Sequence, residues 1–231
     1  MSTLPRAIVV GVGPGLGWAL CRAFARSGHR VTGAARRADE VARLAAAEPD
    51  LHVEATACDA TDPQSVAALF DGDSPPSVVL FNAGDFVRGA VLDLDPAAVE
   101  RAWKVSVLGA LHVAQAAGRR MVAAGTGTMI FTGATASLRG SANFAGLAIS
   151  KFGMRALAQS LAREVGPKGV HVCHVVVDGM ILSERTKGWV KPGPDTALEP
   201  DAIADTYLAI ARQHRSAWTQ ELDLRPWVEN F

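Results

Sequence analysis

Ala7-Ile8-Val9-Val10-Gly11-Val12-Gly13-Pro14-Gly15-Leu16-Gly17-Trp18 decides the fold of this chain. An apolar run of strand type enters a turn holding four glycines. The residues that follow, Trp18-Ala19-Leu20-Cys21-Arg22-Ala23-Phe24-Ala25, have helical spacing. Strand, glycine turn, helix is the order in which backbone N–H groups and a helix N-terminus receive a pyrophosphate. Glycines are needed there because a side chain would keep the phosphate away from the backbone.

The same alternation continues outward from that turn. Strands are expected at 6–10, 30–35, 52–57, 77–81, 128–132, 171–177 and 217–224, and helices at 15–27, 38–47, 63–70, 96–124, 142–165 and 200–212. Continuous Val runs such as Val175-Val176-Val177 suit strands buried on both faces, as in a parallel sheet. Repeated βα units with right-handed crossovers give a doubly wound, Rossmann-type sheet of about seven strands that binds its ligand at the strands' C-terminal ends. A length of 231 residues suits one such domain, residues 1–231, with a substantial core. Residues 183–199, with Gly188, Pro192, Gly193 and Pro194, follow the sixth strand without periodicity and form a candidate lid.

Composition narrows the partners. Lys plus Arg and Asp plus Glu both count 23, so nothing points to nucleic acid or an acidic membrane surface. No apolar run approaches the roughly 18 residues needed to span a bilayer. The first strand comes too early to leave room for a signal peptide. Cys21, Cys58 and Cys173 have neither metal nor redox spacing and read as small buried residues in a reducing, cytoplasmic setting.

Further landmarks stand in a fixed order: Asp59 after the third strand, Asn82-Ala83-Gly84 after the fourth, and Ser150-Lys151 in a long helix. Together with Gly11-x-x-x-Gly15-x-Gly17 they resemble the short-chain dehydrogenase/reductase family over essentially the whole chain. The resemblance implies a nicotinamide cofactor. Gly11, Gly15, Leu16 and Gly17 would cradle its pyrophosphate, Asp59 would contact adenine, and Asn82, Ala83 and Gly84 would steady the strands beside it. It also implies a homodimer or homotetramer, and the apolar tail Trp227–Phe231 is a candidate docking segment. After the second strand, Ala34-Ala35-Arg36-Arg37 stands where an NAD site of this fold places an acid. A guanidinium suits a 2′-phosphate, so NADP(H) is favoured over NAD(H), with Arg36 ahead of Arg37.

At the catalytic positions the family pattern breaks. The family transfers its proton through Tyr-x-x-x-Lys, four residues apart on one helix face. Lys151 is present, where it would position the nicotinamide ribose, but the tyrosine position is Leu147. Thirteen residues earlier, the substrate-binding serine falls on Ala134, with Thr132, Thr135 and Ser137 as nearby hydroxyls. The helix asparagine falls near Ser106. Alternative tyrosine placements known among relatives land on Phe144 and Ala136, and the single tyrosine, Tyr207, lies in a late helix. Loss of the acid removes ~10²–10⁴-fold in rate, so ordinary carbonyl reduction should be severely impaired.

Asp178-Gly179-Met180-Ile181-Leu182-Ser183 stands where relatives carry Pro-Gly-x-x-x-Thr. Ser183 can hold the carboxamide. Asp178 pairs with Lys151, binds substrate, acts as an acid, or simply caps a turn. His171 and His174 sit three apart on a strand, facing opposite sides, a poor geometry for a metal. Asp85 and Arg88 line the pocket or face solvent. Two functions remain open: an NADP(H)-dependent oxidoreductase with an altered centre at Lys151 and Asp178, acting on an unidentified small molecule such as one with an activated C=C bond, or a catalytically silent NADP(H)-binding sensor or partner subunit.

Overall fold

Strands β1 (Arg6–Val10), β2 (Arg30–Ala35), β3 (Val53–Ala57), β4 (Val78–Phe81), β5 (Gly127–Thr132), β6 (Val170–Val177) and β7 (Glu221–Leu224) form one sheet in the order β3-β2-β1-β4-β5-β6-β7. Every neighbouring pair is parallel. This computed structural model describes residues 4–72 and 74–229. The chain leaves β3 at one edge and returns to β4 beside β1, so strand order reverses between β1 and β4. In open sheets that reversal opens a crevice at the strands' C-terminal ends.

Side chains alternate across the sheet, and each face has its own core. Ile8, Val10, Val79, Phe81, Met129 and Phe131 point to the face covered by α3 (Pro63–Leu69), α5 (Gly109–Ala124) and α6 (Ala145–Val165). Ala7, Val9, Leu80, Ile130 and Val175 point to the other, covered by α1 (Leu16–Arg26), α2 (Ala38–Ala47) and α7 (Pro200–Ala211). Cys21, Cys58 and Cys173 are buried free thiols.

Three expected elements differ by more than one residue at a boundary. The expected helix 96–124 is α4 (Pro96–Trp103) and α5 joined by a π-turn, Lys104–Leu108, which keeps helical backbone angles but admits an extra residue. The helix expected from 142 starts at Ala145, because Asn143 adopts a left-handed φ of 68°. The strand expected from 217 starts at Glu221, because Arg215–Ala217 wind into a 3-10 turn whose Ser216 N–H donates to His214 Nδ1. In the tail, the Trp227 indole N–H donates to Asp195 at 3.3 Å. Asn230 and Phe231 lie outside the described residues. No helix among the described residues is long and apolar enough to cross a membrane.

Candidate active site

The glycine turn divides its four glycines between packing and access. Gly11 has a φ of 94°, and a Cβ there would lie 2.3 Å from the Ala83 backbone nitrogen. A Cβ on Gly17 would lie 2.7 Å from the Gly11 carbonyl oxygen. These two let the turn fold back on itself and on β4, while Asn82 Nδ2 donates to the Gly11 carbonyl at 2.9 Å. Gly13 meets nothing within 4 Å, and Gly15 meets only Ser183 Cβ, at 3.7 Å. The bare backbone there sits at the start of α1, and no side chain caps that helix. This arrangement fits a pyrophosphate. Gly11→Ala is expected to cost about 2–4 kcal/mol, since it combines positive φ with a backbone clash. Chemical denaturation checks it, and an unchanged midpoint would mean the turn relaxes freely.

The Gly11 and Val12 N–H groups donate to the Ala34 carbonyl, at 2.9 and 3.1 Å, which lays the turn over the end of β2. Arg36 and Arg37 follow, both exposed. Arg37 is engaged by Glu40 at 3.0 Å. Asp59 is exposed after β3, where the Thr61 backbone N–H and hydroxyl hold its carboxyl below the usual range and Arg36 adds to the effect.

On the other side of Asn82-Ala83-Gly84 lies Lys151. A Cβ on Gly84 would stand 3.6 Å from Lys151 Nζ and 3.7 Å from Ser106 Oγ. Lys151 is 8 % exposed, its ammonium donates to the Thr132 carbonyl at 2.8 Å, and burial pulls its pKa down to about 8. Ser106 lies on the π-turn, fully buried, and its hydroxyl has no partner among the described residues. One short segment therefore touches the glycine turn at one end and a buried cation at the other.

The short chain dehydrogenase profile matches residues 5–192. The chain belongs to that family. It is 31% identical over 180 residues to a 3-oxoacyl-[acyl-carrier-protein] reductase of Mycobacterium tuberculosis, covering 78% of this chain and 70% of the relative. It is 28% identical over 195 residues to a D-erythrulose reductase of Gallus gallus, covering 84% and 78%. Among solved structures, a short-chain dehydrogenase from Rhodopseudomonas palustris superposes with a TM-score of 0.84 at 32% identity, covering 98% of this chain and all of that one. A metagenomic short-chain oxidoreductase in complex with NADP gives 0.82 at 25% identity, covering 97% and 98%. Short-chain dehydrogenases are oxidoreductases that bind nicotinamide cofactors.

Leu147 and Ala134 stand at the positions where the sequence resemblance expects tyrosine and serine. Leu147 is half-buried on α6, and Ala134 stands between β5 and the 3-10 turn Thr135–Ser137. Tyr207 supplies no phenol to the site. It is fully buried in the α1 and α7 core, donates to the Thr132 hydroxyl at 3.0 Å, and burial drives its pKa far upward. Asp178 does not pair with Lys151, which is held by the Thr132 carbonyl. Its Oδ1 instead accepts a hydrogen bond from the Thr135 hydroxyl, and its Oδ2 faces the Arg225 guanidinium at 3.7 Å. Arg225 had no signal in the sequence, because it reaches the site only through the β6–β7 pairing.

Ser183 Oγ lies 2.9 Å from the Thr186 hydroxyl. The segment 183–199 is tied at its base, where Ile181 bridges Leu198 and the Leu198 N–H donates to Met180 O at 2.8 Å. Asp85 accepts from the Phe86 N–H, and Arg88 lies over the Phe144 ring at 5.3 Å. The histidines have different partners: His171 Nε2 is 2.9 Å from Thr219 O, while His174 Nδ1 is 3.1 Å from Glu221, which Arg155 grips with two bonds.

Proposed function

We propose that the protein is an NADP(H)-dependent oxidoreductase whose proton chemistry runs without the family's tyrosine. The observation that carries this reading is the continuity through Asn82-Ala83-Gly84, which joins an open glycine turn to the buried ammonium of Lys151. A relative that had lost its chemistry would have no need to keep a charged lysine buried at that junction, where desolvation opposes it.

The glycine turn and the start of α1 would hold the pyrophosphate, Asp59 the adenine, Lys151 the nicotinamide ribose and Ser183 the carboxamide. When bound, the nicotinamide supplies or accepts hydride. Arg36 would take the 2′-phosphate of NADP(H), and Arg37, already paired with Glu40, is the lesser contributor. The segment 183–199 would close over the bound pair. Asp178, joined to Thr135 and Arg225, would take part in handling the proton.

Titration with NADPH and NADH, followed by calorimetry, tests the reading. NADPH should bind the more tightly, and Arg36→Ala should weaken NADPH by about 10- to 100-fold while leaving NADH nearly unchanged, the value of one or two charge-assisted bonds. Equal weakening of both nucleotides would remove Arg36 from the 2′-phosphate. Failure of both to bind would end the oxidoreductase reading.

A further inference from the structure

Three hydroxyls surround the position where the family's serine is replaced by Ala134, and the structure separates them. Thr132 is buried, and its hydroxyl accepts from Tyr207. Ser137 is fully buried, and its hydroxyl accepts from the Ala134 N–H at 3.1 Å. Thr135 alone is partly exposed, so it is the one a ligand can reach.

The Thr135 proton already has a destination. The hydroxyl donates to Asp178 Oδ1, and an ionised carboxylate can only accept. Asp178 is 6 % exposed at the end of β6, with its backbone N–H on Leu224 O at 2.7 Å. Arg225, just beyond β7 and also paired with Asp223 at 2.8 Å, places its guanidinium 3.7 Å from the second carboxylate oxygen. The result is a chain running guanidinium, carboxylate, hydroxyl, whose hydroxyl end is the partly exposed one.

A hydroxyl has one proton and two acceptor sites. With the proton committed to Asp178, Thr135 offers a ligand only lone pairs. A ketone oxygen also offers only lone pairs and would face Thr135 unpaired, whereas an alcohol brings the missing proton. We propose that Thr135 meets the substrate oxygen and accepts its proton, with Asp178 and Arg225 as positioning residues, so that the site is built to oxidise a secondary alcohol to a ketone. This rests on the oxidoreductase reading above. In the step, the alcohol O–H breaks and a Thr135 Oγ–H bond forms while Thr135's former proton passes to Asp178 Oδ1 and then to water. The carbinol C–H leaves as hydride to an oxidised nicotinamide dinucleotide, and one proton is released per turnover.

The test uses 1-phenylethanol, cyclohexanol and 2-octanol with NADP+, and the matching ketones with NADPH. Apolar probes are chosen because Phe86 and Phe144 pack edge to face, with centroids 6.1 Å apart, and half-buried Leu147 follows Phe144 by three residues. Oxidation should be the faster direction. Thr135→Val should lower its kcat by about 10²-fold or more, the value of a positioned proton acceptor. The KM for NADP+ and the Kd for NADPH, followed by its fluorescence, should stay within about twofold. Thr135→Ser should recover kcat to within about tenfold, which excludes misfolding as the cause, and Asp178→Asn should lower kcat without moving the NADP+ KM. A Thr135→Val enzyme that keeps its oxidation rate, or a wild type that turns over ketones only, overturns the proposal and leaves the oxidoreductase reading standing. Silence in both directions with NADPH still bound overturns that reading, and the proposal falls with it.

Discussion

Leu147→Tyr is expected to raise NADPH-dependent reduction of small ketones by about 10²–10⁴-fold over the native chain, the range that a positioned general acid supplies. Position 147 precedes Lys151 by four residues on α6, so their side chains rise from one face of the helix. A phenol there would lie beside a buried ammonium, whose charge favours the phenolate and brings the proton within reach of neutral pH. Leu147 is half-buried rather than packed in the core, so the larger ring need not displace strand side chains. Leu147→Phe controls for size. It adds the ring without the hydroxyl and should gain nothing. Initial rates with acetophenone and 2-octanone decide the matter, alongside NADPH affinity. If Leu147→Tyr binds NADPH as the native chain does and reduces neither ketone faster, the missing phenol is not what limits carbonyl reduction here.

That variant also marks what local sequence can carry. The strands were readable because burial on both faces demands unbroken apolar runs, and Arg6–Val10 and Arg30–Ala35 fall where those runs do. The glycine turn was readable because its geometry rests on residues within a few positions of one another. The π-turn at Lys104–Leu108 was not, since Lys-Val-Ser-Val-Leu has ordinary helical composition and the extra residue changes only the hydrogen-bond ladder. Asp178 stood out as a departure from the family's proline, but its partner did not. Arg225 lies far along the chain and comes near only because β7 pairs with β6, with Val177 opposite Leu224. The grip of Arg155 and His174 on Glu221 was hidden for the same reason. Tyr207 went unplaced because a lone tyrosine in an amphipathic helix does not say which face of the sheet it will meet.

Lys151→Met should abolish turnover and make the protein more stable at neutral pH. The residue is 8 % exposed, and among the described residues its ammonium has one acceptor, the Thr132 carbonyl. Burial alone pulls its pKa from 10.5 to about 8. A base whose folded pKa lies below its unfolded value costs stability wherever both states are protonated. Here that cost is fully present below about pH 8, because folding then buries the charge. Between about 8 and 10.5 the folded state sheds its proton while the unfolded state keeps it. The unfolded chain binds more protons in that window, so Lys151's contribution to stability rises with pH. Methionine has nearly the same reach without the charge, and removing a buried ion in this way typically returns about 1–3 kcal/mol. Denaturant unfolding at pH 7 and pH 9.5 reads the prediction directly. The variant should exceed wild type at pH 7, and the gap should narrow at pH 9.5. A variant less stable than wild type at both values would mean the Thr132 bond outweighs desolvation, and Lys151 would then be part of the scaffold. A gain in stability paired with lost turnover would mean that this chain keeps a buried cation against the interests of its own fold, the signature of a residue retained for chemistry.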